Sequence, residues 1–350
     1  MKRFYSIDVM KIVAAFMVIC IHLPFPGVVS EIIGPLTTIA VPYFFMVSGF
    51  FLWDTNKKRI EEKTIKSIKK TLIYLFTANL LYFVWGLLLS LVSDNRTIME
   101  YLISSFSINS TLKFILLNQS PFGVHLWYLS AYLYVLVIYY FAVKFGKTKQ
   151  VIMLAPFLLI GNLILGKYSL ILFNADPMLL LSRNFITVGL PYFFIGCYFR
   201  RKYSQNKLKI NNFILITGIL LFSITTILER FILEINKLNA EGDLYANTTF
   251  LVILIFIKLI NNPNLFRNTW LLKLNPHTLN IYIIHPMFIT IYIVIISVLP
   301  YSLESVLIGI GPISILGISY LASYVYTKSI KKFRTSKYFT KNIKQFKPKL

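Results

Sequence analysis

His22 is the side chain in this sequence best suited to move a proton. It stands near the end of an apolar stretch, Ile7 to Phe25, that follows Lys2 and Arg3. Lys11 and Asp8 lie in the same stretch. Ionisable groups are expensive in such a segment and mark function by default. At about 100° per residue the eleven steps from Lys11 to His22 close three turns plus about 20°, so the two share one helix face. At about 1.5 Å per residue they are stacked about 16 Å apart. One face therefore offers a cation towards the chain start and an imidazole at the other end. An imidazole with an ordinary pKa near 6.5 can act as a general base or a nucleophile at neutral pH. Asp8 lies about 21 Å along the axis from His22, too far to orient it as a triad carboxylate does. At i, i+3 from Lys11, Asp8 reads as that lysine's neutralising partner.

Further candidates recur along the chain. His125 and His285 fall on the same half of the molecule as His22, whereas His277 falls on the other. For each, the alternative reading is a buried imidazole hydrogen-bonded to a neighbouring helix. Ser48 sits beside Gly49 among large residues, where small residues permit a close helix approach; as a nucleophile it has no partnered base evident from spacing. Arg183 opens a span next to Asn184 and Pro191, where it either flanks the membrane or holds an anionic group. Glu229 and Arg230 are adjacent, so they face apart and require separate partners.

These residues need a scaffold. Of 350 residues, 57% are hydrophobic and 14% charged, against about 45–50% and 25% in a soluble domain. Repeated apolar runs of spanning length predict an all-α polytopic membrane protein. About ten transmembrane helices are expected, over 7–25, 32–53, 71–92, 124–143, 150–166, 185–199, 212–233, 245–260, 277–298 and 304–327. With the N-terminus inside, 29 of the 36 Lys and Arg fall in inner segments. That bias follows the positive-inside rule, places both termini in the cytoplasm and makes the span number even. The net charge of +23 is thus a topology signal with attraction to anionic membrane lipid, not a nucleic-acid footprint. Residues 1–327 form the transmembrane domain and 328–350 a basic cytoplasmic tail. The outer segment 93–123 carries Ile98, Tyr101, Leu102 and Phe106 at helical spacing, as an interfacial helix does.

The first apolar run is expected to be a retained span, since no small-residue cleavage site follows it. Cys20 and Cys197 both fall inside spans, which argues against a disulfide framework. The sequence has no phosphate-binding loop, HExxH, CxxC pair or GxSxG elbow, and no metal site is expected.

Four segments together resemble the acyltransferase 3 family of integral membrane O-acyltransferases: DVMKIVAAFMVICIH (8–22), VPYFFMVSGFFL (41–52), HLWYLSAYLYVL (125–136) and NIYIIHPMFI (280–289). RNFITVGLPYFFIG (183–196) looks closer to one branch, the membrane domain of the vancomycin-resistance serine racemases. The resemblance implies transfer of an acyl group, usually acetyl, from cytoplasmic acyl-CoA to a hydroxyl of an extracytoplasmic glycan or related acceptor. In the family's first-span motif an Arg is followed by ten residues and a catalytic His. His22 matches the His, and Lys11 stands at the Arg position, where a point charge replaces a bidentate fork. Lys11 is then the donor-binding residue, and Ser48, His125, Arg183 and His285 are substrate-binding candidates.

A second reading, implied by the racemase-like branch, is a binding or uptake module for serine or another small solute. With the sequence ending soon after the last span, no racemase domain is expected beside the membrane domain. A third reading is a scaffold without chemistry. The Lys-, Ile- and Asn-rich composition points to an AT-rich bacterium, hence a multi-pass protein of the bacterial cell membrane.

Overall fold

The computed structural model describes residues 3–92, 97–242 and 244–335. Among these residues the chain is helical throughout, with no strand. The helices are α1 Tyr5–His22, α2 Val28–Thr37, α3 Ala40–Leu52, α4 Lys57–Val92, α5 Ile98–Ser105, α6 Ile108–Leu117, α7 Trp127–Lys144, α8 Thr148–Leu165, α9 Ser169–Phe173, α10 Leu179–Ser182, α11 Leu190–Ser204, α12 Asn212–Ile235, α13 Thr248–Asn261, α14 Thr278–Ser297 and α15 Tyr301–Thr335.

Nine stretches among the described residues are long and apolar enough to cross a membrane. The expected span over 245–260 forms α13, whose 14 residues extend about 21 Å, short of an average hydrocarbon core of about 30 Å. The flanks of α13 nonetheless reach both ends of α1. Leu244 lines a cavity with His22, and the Pro263 carbonyl accepts the Tyr5 N–H at 2.8 Å. The Ser6 hydroxyl also donates to the Leu259 carbonyl at 2.7 Å.

The second span is broken. α2 ends at Thr37, and α3 restarts at Ala40. Pro42 falls in the first turn of α3, where its missing N–H costs nothing. The interruption thus lies ahead of Pro42, at Thr38 and Ile39. Irregular backbone at membrane depth persists where protein buries it or it lines a cavity. Thr38, Val41 and Pro42 do line one.

The bundle is built around α3 and α11, whose spans are each 67% buried, whereas those of α8 and α12 are 11% buried. Glycines set the α3–α11 crossing. A Cβ on Gly49 would overlap the Phe193 carbonyl, and one on Gly196 would overlap the Met46 carbonyl. The Cys197 thiol donates to the Gly49 carbonyl at 3.3 Å. This is the close approach that small residues permit in membrane bundles. Outward faces such as Phe213, Leu220 and Leu221 on α12 remain exposed, as lipid-facing surfaces must be.

Two helices continue past their apolar parts. α4 runs about 54 Å, so the basic segment 57–70 and the following span form one rod. Its start is tied down by Lys63, which bonds Asp54 at 2.8 Å. That hydrogen bond holds the Asp54 carboxyl down at about 2. α15 likewise carries the last span on to Thr335, so the first residues of the expected tail prolong a helix. Lys2, Arg96 and the tail from residue 336 onward lie outside the described residues. In the 93–123 segment, α5 and α6 are short helices. The first is closed by a Thr97–Glu100 capping box. Ile98 and Phe106 are exposed, whereas Tyr101 is buried.

Candidate active site

Three helices bring three imidazoles together. His22 is the last residue of α1, His125 precedes α7, and His285 lies inside α14. The His22 and His285 rings are 5.3 Å apart, centroid to centroid. The His125 and His285 rings are 5.8 Å apart. His22 is exposed, while His125 and His285 are buried. His277 is elsewhere, bonded through Nδ1 to the Ser323 hydroxyl at 2.8 Å.

Local sequence explains the orientation of one ring, and a contact between distant segments that of a second. Pro286 has no N–H to offer the Tyr282 carbonyl four residues back. The His285 Nδ1 occupies that carbonyl at 2.8 Å. A carbonyl only accepts, so the Nδ1 of His285 carries the proton and the Nε2 carries the lone pair. That Nε2 is fully buried and has no hydrogen-bond partner. His125 is held by the opposite nitrogen, its Nε2 donating to the Ile283 carbonyl at 3.3 Å. The Tyr282 hydroxyl bonds the His125 carbonyl, and the Tyr82 hydroxyl donates to the Ile283 carbonyl at 2.7 Å.

His22 and His125 open into a cavity of about 210 Å³, shared with Arg183, Tyr128, Tyr282 and Thr38. This is far above the roughly 10–15 Å³ that one water requires. Gly242 forms part of its rim. A Cβ on Gly242 would come within 2.6 Å of an Arg183 nitrogen, and its φ of +86° is one that L side chains rarely adopt. The guanidinium thus lies directly against the loop backbone.

The loop before α13 is anchored by charge. Glu229 accepts from the Tyr168 hydroxyl at 2.6 Å and the Ala246 N–H at 3.0 Å. Burial, with the Glu229 carboxylate against it, pushes the Tyr168 hydroxyl well above its ordinary pKa, so it remains a donor. Arg230 pairs instead with Glu234 at 3.2 Å and Glu241 at 3.7 Å. The adjacent pair does have separate partners, as helix geometry requires.

Over residues 4–325 the sequence matches the acyltransferase domain family, in its type 3 branch of integral membrane proteins. The chain belongs to the acyltransferase 3 family. The sequence is also 32% identical over 139 residues to a protein called "Amino-acid racemase" from Enterococcus faecalis. That stretch is 37% of this chain and covers 18% of the length of that relative. No solved structure matches the chain.

The acyltransferase fold distributes the residues singled out in the sequence unequally. His22, His125 and Arg183 share the cavity, and His285 stands behind its wall. Lys11 is at the other end of α1, bonded to Asp8 at 3.0 Å, while Arg3 takes the other Asp8 oxygen at 2.9 Å. Ser48 does not line the cavity. Its hydroxyl donates to the Phe44 carbonyl at 2.8 Å. The sequence reading passed over Tyr128 and Tyr282, which face the same space. One signal was available: His125–Tyr128 and Tyr282–His285 have the same i, i+3 spacing, which puts each pair on one helix face. Nothing local marked Thr38 or the loop residues Gly242 and Leu244.

Proposed function

We propose that this acyltransferase moves an acetyl or similar acyl group from cytoplasmic acyl-CoA to a hydroxyl of an extracytoplasmic glycan or other cell-surface acceptor. It does so from a bacterial plasma membrane. The observation that carries the reading is the exposed His22 imidazole opening, beside Arg183, into the large cavity at one end of the bundle. The basic residues concentrate at the opposite ends of the spans, as on a cytoplasmic side.

In this reading the acceptor oxygen attacks the thioester carbonyl carbon and His22 takes its proton. The C–S bond breaks, and the departing thiolate receives the proton back from the imidazolium. The rival version has His22 itself take the acyl group before passing it on. Arg183 holds an anionic part of the acceptor, and His125 supplies a contact at the same end. Lys11 meets the phosphate-bearing head of the donor.

A second cavity, of about 200 Å³, supports a donor path from the basic side. Its wall includes Ser67, Lys70, Thr71, Tyr74 and Tyr132, and it shares Tyr128 with the first cavity. The donor's thioester has to pass Tyr128 to reach His22. Ser48 stands beside Tyr128 and Tyr132, so its contribution runs through that partition.

The test is thiol release from acetyl-CoA by the purified full-length protein in lipid nanodiscs, with and without a surface-glycan acceptor. A general base contributes about 10²–10⁴-fold, and His22→Ala should lose that much. Full transfer by His22→Ala would rule out both versions.

The similarity to the racemase-named protein favours a second reading, a binding or uptake module for serine or another small solute. Uptake of labelled serine into vesicles carrying the protein, with no thiol release from acetyl-CoA, would select it.

A further inference from the structure

The buried nitrogen of His285 has no partner, and the structure narrows what that partner can be. His285 is 0% exposed. Its Nδ1–H is committed to the Tyr282 carbonyl that Pro286 leaves free. Its Nε2 is therefore a pure acceptor, buried and unsatisfied. An unpaired buried acceptor keeps its full desolvation penalty, so it calls for a donor. Two rings are close enough to supply one. His125 has committed its Nε2–H to the Ile283 carbonyl, and its Nδ1 is left as an acceptor. His22 has no such commitment. It ends α1, is exposed, and can turn about both side-chain torsions.

The separation suits a direct bond. Two imidazoles joined end to end by an N–H···N bond of about 2.9 Å have centroids about 5.2 Å apart. The observed separation is 5.3 Å, with the planes tilted by 42°. At this separation the bond requires a reorientation of the His22 ring rather than a longer reach.

We propose that His285 is a positioning residue: its Nε2 accepts the N–H of His22, fixes the His22 tautomer, and leaves the other His22 nitrogen unprotonated and facing the cavity. The inference rests on the reading of His22 as the base. It adds that α14, through Pro286 and His285, decides which nitrogen of His22 does the work. In a Ser-His-Asp triad the orienting group is a carboxylate. Here a neutral imidazole fills that place. A neutral orienting group suits a low-dielectric site, because no unpaired charge has to be buried.

The chain has four histidines, so its imidazole nitrogens can be counted individually. With ¹⁵N-histidine-labelled full-length protein in nanodiscs, the expected result is a scalar coupling between a His22 nitrogen and the His285 Nε2. The remaining His22 nitrogen should show the shift of an unprotonated ring. His285→Leu should remove the coupling and let His22 sample both tautomers. In acetyl-CoA turnover, that variant should lose at least 10-fold in kcat with little change in KM. His285→Gln, whose carbonyl oxygen can still accept from His22, should recover part of that rate. Absence of the coupling in the wild-type protein overturns the proposal. So does a His285→Leu variant that only raises the acceptor KM while the His22 shifts stay as in the wild type. The wild-type spectrum needs no turnover. A protein that shows the coupling but releases no thiol refutes the acyl-transfer reading and leaves the His22–His285 bond standing.

Discussion

Tyr128 and Tyr132 stack with their planes 1° apart and their centroids at 6.1 Å. The pair divides two spaces, since Tyr132 faces only the cavity beside Lys70 while Tyr128 faces both. Neighbours hold the Tyr128 ring in place, with Phe45 at 4.9 Å and Tyr282 at 5.5 Å.

If Tyr128 is the partition between donor and acceptor sides, Tyr128→Ala joins the two cavities. Acetyl-CoA hydrolysis without acceptor should then rise relative to transfer, because water and thioester meet freely. Tyr128→Phe keeps the ring and should retain the wild-type ratio. Removing a large buried ring costs about 3–5 kcal/mol, so both rates are to be read at a temperature where the variant is shown to be folded.

Lys11 shares Asp8 with Arg3. If Lys11 meets the donor's phosphates, Asp8 competes with them. Asp8→Asn should lower the KM for acetyl-CoA and leave kcat unchanged, whereas Lys11→Gln should raise that KM. Partly exposed pairs contribute about 0.2–1 kcal/mol, so the melting temperature of Asp8→Asn should change little. An unchanged KM in both variants would make the pair a neutralising device and nothing more.

The α3–α11 crossing predicts a strong contrast between glycines. Gly196→Val drives a side chain into the Met46 backbone. Overpacking of this kind costs about 1–3 kcal/mol or more, to be seen as a lower melting temperature in detergent. Gly161 on α8 has no atom within 4 Å of its Cβ position. Gly161→Ala should be neutral or stabilising by up to about 1 kcal/mol through helix propensity.

Glu229 anchors the loop whose Gly242 and Leu244 line the cavity. Glu229→Ala leaves the Tyr168 hydroxyl and the Ala246 N–H without their acceptor, at about 1–3 kcal/mol for each buried group. Limited proteolysis within 236–247 should speed up, and the acceptor KM should rise. Glu229→Gln keeps an acceptor oxygen and should fall between the two.

Much of the scaffold was legible along the chain because lipid solvation acts on each segment separately. Apolar length and flanking charge depend on local composition, so nine of the expected spans could be read one at a time. The span over 245–260 forms a shorter helix, because the chain before it is held as a loop, with the Ala246 N–H on Glu229 and Gly242 and Leu244 lining the cavity. Helix periodicity likewise put Lys11 and His22 on one face, and i, i+3 spacing paired Lys11 with Asp8.

The sequence by itself determined the helical membrane class, the family and the identity of the residues able to do chemistry. Only the tertiary structure decided which of them meet. His22, His125 and His285 come from α1, from the turn before α7 and from α14, and no spacing rule relates helices so distant in sequence. Ser48 and Lys11 carry equally chemical side chains, yet their bonds stay within their own helices, to the Phe44 carbonyl and to Asp8, away from the cavity. The physical reason is that helical periodicity fixes directions within one segment. Contacts between segments depend on close approach, here through Gly49 and Gly196, and on where a proline such as Pro286 frees a carbonyl.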